Sequence, residues 1–149
     1  PSKFSRAKDL GATHCFDSRN NDTVEAIRDL TNGGVDFAID LAGVIAAMDT
    51  AYQIIRYGGS VVTAGLSPIN TKFSFNHSDL VAQEKSILGS YMGSCVPVRD
   101  VPRFLNLYLQ GRLPVDKLID GKIGFDNLNE GFDKLSKGEV VRQVLLPNG

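Results

Sequence analysis

Three short apolar runs, at 35–40, 60–64 and 86–92, constrain this chain most, because each closes on small residues and helical periodicity separates it from the next. The closures are Asp40-Leu41-Ala42-Gly43, Ala64-Gly65-Leu66 and Gly89-Ser90-Tyr91-Met92-Gly93. Strands joined by helical crossovers run parallel, so the pattern predicts an α/β fold with a mainly parallel sheet. Val35, Phe37, Ala38 and Ile39 read as a buried strand with an acid at its end.

The segments between the runs carry start and stop signals. Phe4, Ala7 and Leu10 share one face of a short helix that Gly11 can end. Cys15 and Phe16 predict a brief strand over 13–17. Asp22 followed by Glu25 fits a capping box for a helix bearing Val24, Ile27 and Leu30, and Asn32-Gly33-Gly34 stops it. Gly43 opens a helix expected over 45–56, and Gly58-Gly59 turns the chain into the second run. Between Lys72 and Phe75, polar and apolar residues alternate as an edge strand does, and its unpaired backbone invites a second copy of the chain, hence a homo-oligomer. Pro97 suits the start of an amphipathic helix carrying Val101, Phe104, Leu105 and Tyr108, ended by Gly111. A strand at 119–123, a helix at 128–136 and a strand at 140–146 complete the chain. Pro114 marks the expected boundary, dividing it into 1–112 and 113–149.

Length and composition narrow the function. At 149 residues, 42% hydrophobic and 22% charged, the chain has the makeup of one ordinary globular domain. A net charge of −1 gives no electrostatic reason for nucleic acid or an anionic membrane as partner. No apolar run is long enough to span a bilayer. The N-terminal residues lack a signal-peptide layout, and the first residue is Pro1 rather than Met, so the chain is expected to start inside a longer, cytoplasmic protein. Cys15 and Cys95 fit no framework of bridges and are expected to be reduced thiols.

The chemistry visible in the residues is sparse. Ligands of open α/β sheets bind beyond the carboxyl ends of the strands, and glycines there let a flat ligand approach the backbone. Those glycines are also ordinary turn residues when taken singly; three closures in register favour a cleft. No Gly-x-Gly-x-x-Gly follows a strand, and no Walker sequence occurs. His14, Cys15, His77 and Cys95 lack metal-ligand spacing, so no metal site is expected in the chain. His77 reads as the polar start of a helix with Asn76 or Ser78 as cap. No serine sits in a nucleophile elbow. Asp40 reads as a strand-end hydrogen-bond acceptor and Asp79 as a first-turn helix charge. Arg142, at the start of an apolar strand, is either a forked phosphate ligand or a solvated strand-end charge.

Taken together, several segments resemble the medium-chain dehydrogenase/reductase superfamily, and within it the zinc-dependent alcohol dehydrogenases. They include Ala7-Lys8-Asp9-Leu10-Gly11-Ala12-Thr13, Gly33-Gly34-Val35-Asp36-Phe37 and Gly58-Gly59-Ser60-Val61-Val62. Further along come Leu88-Gly89-Ser90-Tyr91-Met92-Gly93-Ser94, Asn129-Glu130-Gly131-Phe132-Asp133-Lys134-Leu135 and Gly138-Glu139-Val140-Val141-Arg142. Their order and spacing match across nearly the whole chain. The resemblance implies a truncated Rossmann-type parallel sheet with a C-terminal strand-helix-strand appendage. On that basis residues 1–112 are a partial NAD(P)-binding domain, and 113–149 return to a GroES-like catalytic domain.

The resemblance further implies hydride transfer between a small alcohol and NAD or NADP, giving an aldehyde or ketone. Lys3 matches a lysine on the adenosine ribose. Leu41, Ala42 and Gly43 match the strand end beside the adenine and its ribose. Ala64, Gly65 and Leu66, with Tyr91 and Met92, match backbone that meets the nicotinamide carboxamide. Arg142 matches the arginine that grips the pyrophosphate. Val44 stands where some members carry an arginine near the adenine. The zinc ligands, the glycine fingerprint and the acid that selects NAD all fall upstream of residue 1 in the family, so the resemblance implies no catalytic or metal residue here and an inactive fragment. It also implies that strand 13–17 has lost its sheet neighbour. Two other readings stand beside this one: the zinc-free quinone reductase branch of the same superfamily, and a non-catalytic nucleotide-binding or oligomerisation module.

Overall fold

A run led by Gly34 and rich in β-branched and aromatic residues forms strand β1 (Val35–Asp40), one of the two outer members of a three-stranded parallel sheet in the order β1-β2-β3. Strands β2 (Ile55–Thr63) and β3 (Ser86–Gly89) follow it, with helix α3 (Ile45–Ile54) crossing between β1 and β2 and helix α4 (His77–Ala82) between β2 and β3. Upstream lie helices α1 (Phe4–Asp9) and α2 (Thr23–Leu30). These elements form one compact unit, Pro1–Cys95, and a second comprises Val96–Gly149; the computed structural model describes residues 2–147. Gly34 shows why β1 starts where it does. Its φ of +132° suits glycine, and a Cβ there would lie 2.6 Å from the Ile54 carbonyl oxygen, so only glycine lets the chain enter the sheet beside the end of α3.

The core of the first unit lies on one face of the sheet. Ala38 and Val61 pack against Met48, Ala51 and Tyr52 of α3, with Ile55 wholly buried and Phe73, Leu80 and Ile87 closing the edges. On the other face Phe37 and Ile39 are 71% and 66% exposed, and Leu88 is 51% exposed. The expectation of a fully buried first strand therefore gives way to a half-buried one: α3 covers one face, and side chains alternate across the pleat.

Several local expectations change in the same physical terms. Residues 13–17 form no strand; the segment is irregular, and Cys15 Sγ reaches the Phe4 carbonyl at 3.8 Å. The stretch from Lys72 to Phe75 is not an edge strand either. Its two phenylalanine rings turn onto Tyr52, with centroids 6.1 Å and 6.0 Å from that ring, instead of lying along a ladder. Asp22 occupies the N-cap of α2 but makes no side-chain cap bond; Thr23 is buried and donates to the Asp17 carbonyl at 2.7 Å. Helix α3 ends at Ile54 rather than residue 56, because Ile55 already pairs with Val35. The ladder then slips between that pair and Phe37–Ser60, and Gly58, at φ +69°, sits in a bulge of β2 rather than in a turn before it. Strand β3 stops at Gly89, and Met92–Ser94 make a 3-10 turn in which Met92, Gly93 and Ser94 all have positive φ.

The second unit begins with helix α5 (Pro97–Leu109), with Pro97 in its first turn. Buried Asp100 reaches back to the Val96 amide at 2.9 Å and takes forked bonds from Arg99 at 2.7 Å, which holds its carboxyl far below the usual carboxylate range. Strands β4 (Ile119–Ile123) and β5 (Arg142–Leu145) pair in parallel, joined by helix α6 (Leu128–Ser136), the strand-helix-strand appendage expected from the sequence. At Gly131 helix α6 comes close to this pair: a Cβ there would lie 2.7 Å from Ile123 Cδ1, the end of a side chain that can shift. Asp120 ties the two strands by accepting from the amides of Val141 and Arg142.

Candidate functional site

Asp40 joins the carboxyl ends of β1 and β2. It is 5% exposed, at the last position of β1 on the face that α3 covers. Its Oδ1 accepts from the Ala42 amide at 2.9 Å, an Asx-type turn, and its Oδ2 accepts from the Thr63 hydroxyl at 3.0 Å. Its main-chain carbonyl accepts from the amides of Ala64 at 2.8 Å and Gly65 at 3.2 Å. Two loops are thereby brought side by side, 41–43 after β1 and 64–67 after β2.

Where they cross, backbone lies on backbone. A Cβ on Gly65 would stand 2.1 Å from the Gly43 nitrogen, and one on Gly43 would stand 2.6 Å from the Leu66 oxygen. Gly43 also has a φ of +68°. Both glycines are required by the crossing itself, beyond any role as turn residues. The Ser67 hydroxyl closes it by donating to the Gly43 carbonyl at 2.8 Å. Strand β3 joins the same rim, since the Ser90 amide donates to the Thr63 carbonyl at 2.9 Å.

Beside this crossing lies an open cleft of about 410 Å³, bordered by Ser18, Asp40, Leu41, Ala42 and Ala47 among others. Ser18 sits between Asp17 and Arg19, whose forked ion pair closes at 2.9 Å and 2.6 Å. The Arg19 guanidinium lowers the Asp17 carboxyl to a pKa of about 2. At the rim Leu41 and Leu66 are 75% and 79% exposed, and Tyr91 and Met92, just past β3, are also exposed. The strand ends thus offer apolar side chains and close-set backbone, with the buried Asp40 carboxylate among them.

Six of the residues singled out from the sequence are brought together here: Leu41, Ala42, Gly43, Ala64, Gly65 and Leu66. Tyr91 and Met92 follow the third strand end. Lys3 stands at the N-cap of α1, with its carbonyl accepting from the Ala7 amide at 3.0 Å. Arg142 belongs to the second unit, where it opens β5 and borders an apolar cavity of about 290 Å³ with Phe132, Leu135 and Leu145. Asp40 and Asp79 occupy the places read for them, and Asn76 caps α4 by accepting from the Ser78 amide at 3.0 Å. Reading the sequence passed over Ser18, Thr63 and Ser67; only Thr63, a hydroxyl just before the Ala64-Gly65 closure, carried a local signal. Among the described residues no three His, Cys, Asp or Glu side chains converge in a way that could hold a metal ion. No helix among them is long and apolar enough to cross a membrane.

Residues 1–110 match the family model described as zinc-binding dehydrogenase. The chain belongs to the zinc-binding dehydrogenase family. Alcohol dehydrogenase 1 of Cenchrus americanus is 32% identical over 148 residues, which make up 97% of this chain and 39% of that protein. Two solved structures superpose with a TM-score of 0.91 at 32% identity. An alcohol dehydrogenase zinc-binding domain protein from Burkholderia ambifaria is covered to 40% by 99% of this chain. A benzyl alcohol dehydrogenase from Acinetobacter calcoaceticus is covered to 40% by 97% of it. This zinc-binding dehydrogenase chain therefore spans about two fifths of the relatives it matches, and its α/β fold with parallel sheets is theirs.

Proposed function

We propose that the chain is the cofactor-binding portion of an oxidoreductase that transfers hydride between an alcohol and NAD or NADP. The observation that supports this reading is the glycine crossing at the strand ends, which sets Leu41–Gly43 against Ala64–Leu66, with Leu41 and Ala42 also bordering the cleft. A flat, largely uncharged group suits such a rim, because apolar side chains cover its faces while backbone groups meet its edges. In this reading Leu41, Ala42 and Gly43 hold the adenine and its ribose, with Lys3 on the ribose hydroxyls. Ala64, Gly65, Leu66, Tyr91 and Met92 hold the nicotinamide carboxamide, and Arg142 grips the pyrophosphate through a forked, charge-assisted contact. Residues 1–112 form the partial cofactor domain, and 113–149 form the segment that returns to the catalytic domain.

Zinc, held by residues outside this chain, supplies Lewis-acid polarisation of the alcohol oxygen in the intact enzyme. The chain's own part is to orient the nicotinamide and its phosphates. The substrates are a small alcohol and its aldehyde or ketone, the setting is cytoplasmic, and the homo-oligomer contact runs from Lys72 to Phe75, where Phe75 is 42% exposed.

The test is a titration of the purified chain with NADH and NADPH, together with an assay against primary and secondary alcohols with zinc added. Weak saturable cofactor binding without turnover is the expected result. Arg142→Ala weakens that binding, by about 1.5–3 kcal/mol in the intact enzyme. Zinc-dependent turnover that co-purifies with the chain would overturn the assignment of catalysis to residues outside it.

A further inference from the structure

We propose that Asp40 is a positioning residue for the cofactor, acting through the backbone of the two loops it joins; this rests on the cofactor-binding reading above. A carboxylate that is 5% exposed beneath a helix is costly to bury unless its oxygens are satisfied. Here each oxygen has a partner, and the partners lie on different loops: the Ala42 amide on the first and the Thr63 hydroxyl at the root of the second. The Asp40 carbonyl adds the amides of Ala64 and Gly65. One residue therefore sets how far apart the two loops stand, and Ser67 clamps them from the far side through the Gly43 carbonyl.

This arrangement has a consequence for recognition. The amides of Ala42, Ala64 and Gly65 are turned inward onto Asp40, so those three donors are withheld from a ligand. The crossing is thereby a poor place for phosphate, which needs N–H groups, and suits a flat ring held by Leu41 and Leu66. Asp40 touches no ligand in this account. Freed of its carboxylate, the Ala42 amide regains its donor and loop 41–43 loses its fixed height above loop 64–67.

The experiment follows NADH emission on titration into the unaltered chain and its variants, with thermal midpoints measured in parallel. The chain has no tryptophan, so cofactor emission is read directly. Asp40→Ala is expected to weaken NADH binding about tenfold, the loss for one good charge-assisted hydrogen bond. Asp40→Asn keeps an acceptor for Ala42 and a partner for Thr63, and should restore binding to within about threefold. If Asp40→Ala does not fold, Thr63→Val takes its place, removing one donor without changing shape, with a loss of about threefold expected. A folded variant, Asp40→Ala or in its place Thr63→Val, that lowers the thermal midpoint yet binds NADH as the unaltered chain does would show that the carboxylate serves stability alone, and the proposal falls. If the unaltered chain gives no saturable change with NADH or NADPH, the cofactor reading itself fails and takes this proposal with it.

Discussion

Gly65 has no room for a side chain, because any Cβ there points into the Gly43 backbone at 2.1 Å. Neither partner can swing aside as a flexible side chain can. Gly65→Ala is therefore expected to destabilise the first unit by about 1–3 kcal/mol, as overpacking does, which urea denaturation will read as a lower midpoint at unchanged slope. An unchanged midpoint would mean that the loops part easily. Asp17 gives a second outcome at a single side chain. Its folded pKa, about 2 against an ordinary 3.8, is lowered by the Arg19 guanidinium. A depressed carboxylate pKa adds stability above the ordinary value, and this is lost as pH falls from about 3.8 towards about 2. Thermal midpoints of the unaltered chain and of Asp17→Asn should converge through that window, and parallel curves would refute the assignment.

Helix α3 shows how an element's end is held by others. Its last carbonyls face two cations: Arg28 of α2 donates to Gln53 at 3.0 Å and to Ile55 at 3.3 Å, and Lys85 donates to Tyr52 at 3.1 Å. Cations at a helix C-terminus satisfy orphan carbonyls and oppose the dipole. Lys85 also lies 4.7 Å from the centre of the Tyr52 ring, and burial lowers its pKa. Arg28→Ala is expected to cost about 1–2 kcal/mol in chemical denaturation. Combined with Lys85→Met the loss should depart from additivity, since both side chains serve one helix end. Additive losses would show that the two act independently.

The uncovered sheet face bears on how copies of the chain behave. Phe37, Ile39 and Leu88 are more than half exposed on the face that α3 leaves open. Contiguous apolar surface of this kind promotes association. In sedimentation velocity at micromolar concentration, Ile39→Lys should reduce concentration-dependent association if this face drives it. Phe75→Lys should instead dissociate a discrete dimer if the Lys72–Phe75 contact forms it. A chain that is monomeric throughout refutes both routes.

Much of the fold was legible because its signals are local. Gly34, Gly43, Gly111 and Pro97 announce where elements start and stop, since their φ preferences need no knowledge of neighbours. The strand-helix-strand tail and the acceptor role of Asp40 were readable on the same grounds. Some failures are local, as at Asp22, whose side chain makes no cap bond, but the largest is non-local. Lys72–Phe75 alternates as a strand does, but strand pairing needs a neighbour, and Tyr52 supplied a better surface for both rings. Residues 13–17, by contrast, form no strand, in keeping with the expectation that this segment has lost its sheet neighbour. At the site, sequence alone determined which residues are small enough to stand at the strand ends. Tertiary structure decided that Gly43 and Gly65 cross in contact and that Thr63 and Ser67 hold the crossing, because those contacts join positions 22–24 residues apart, beyond the reach of any local signal.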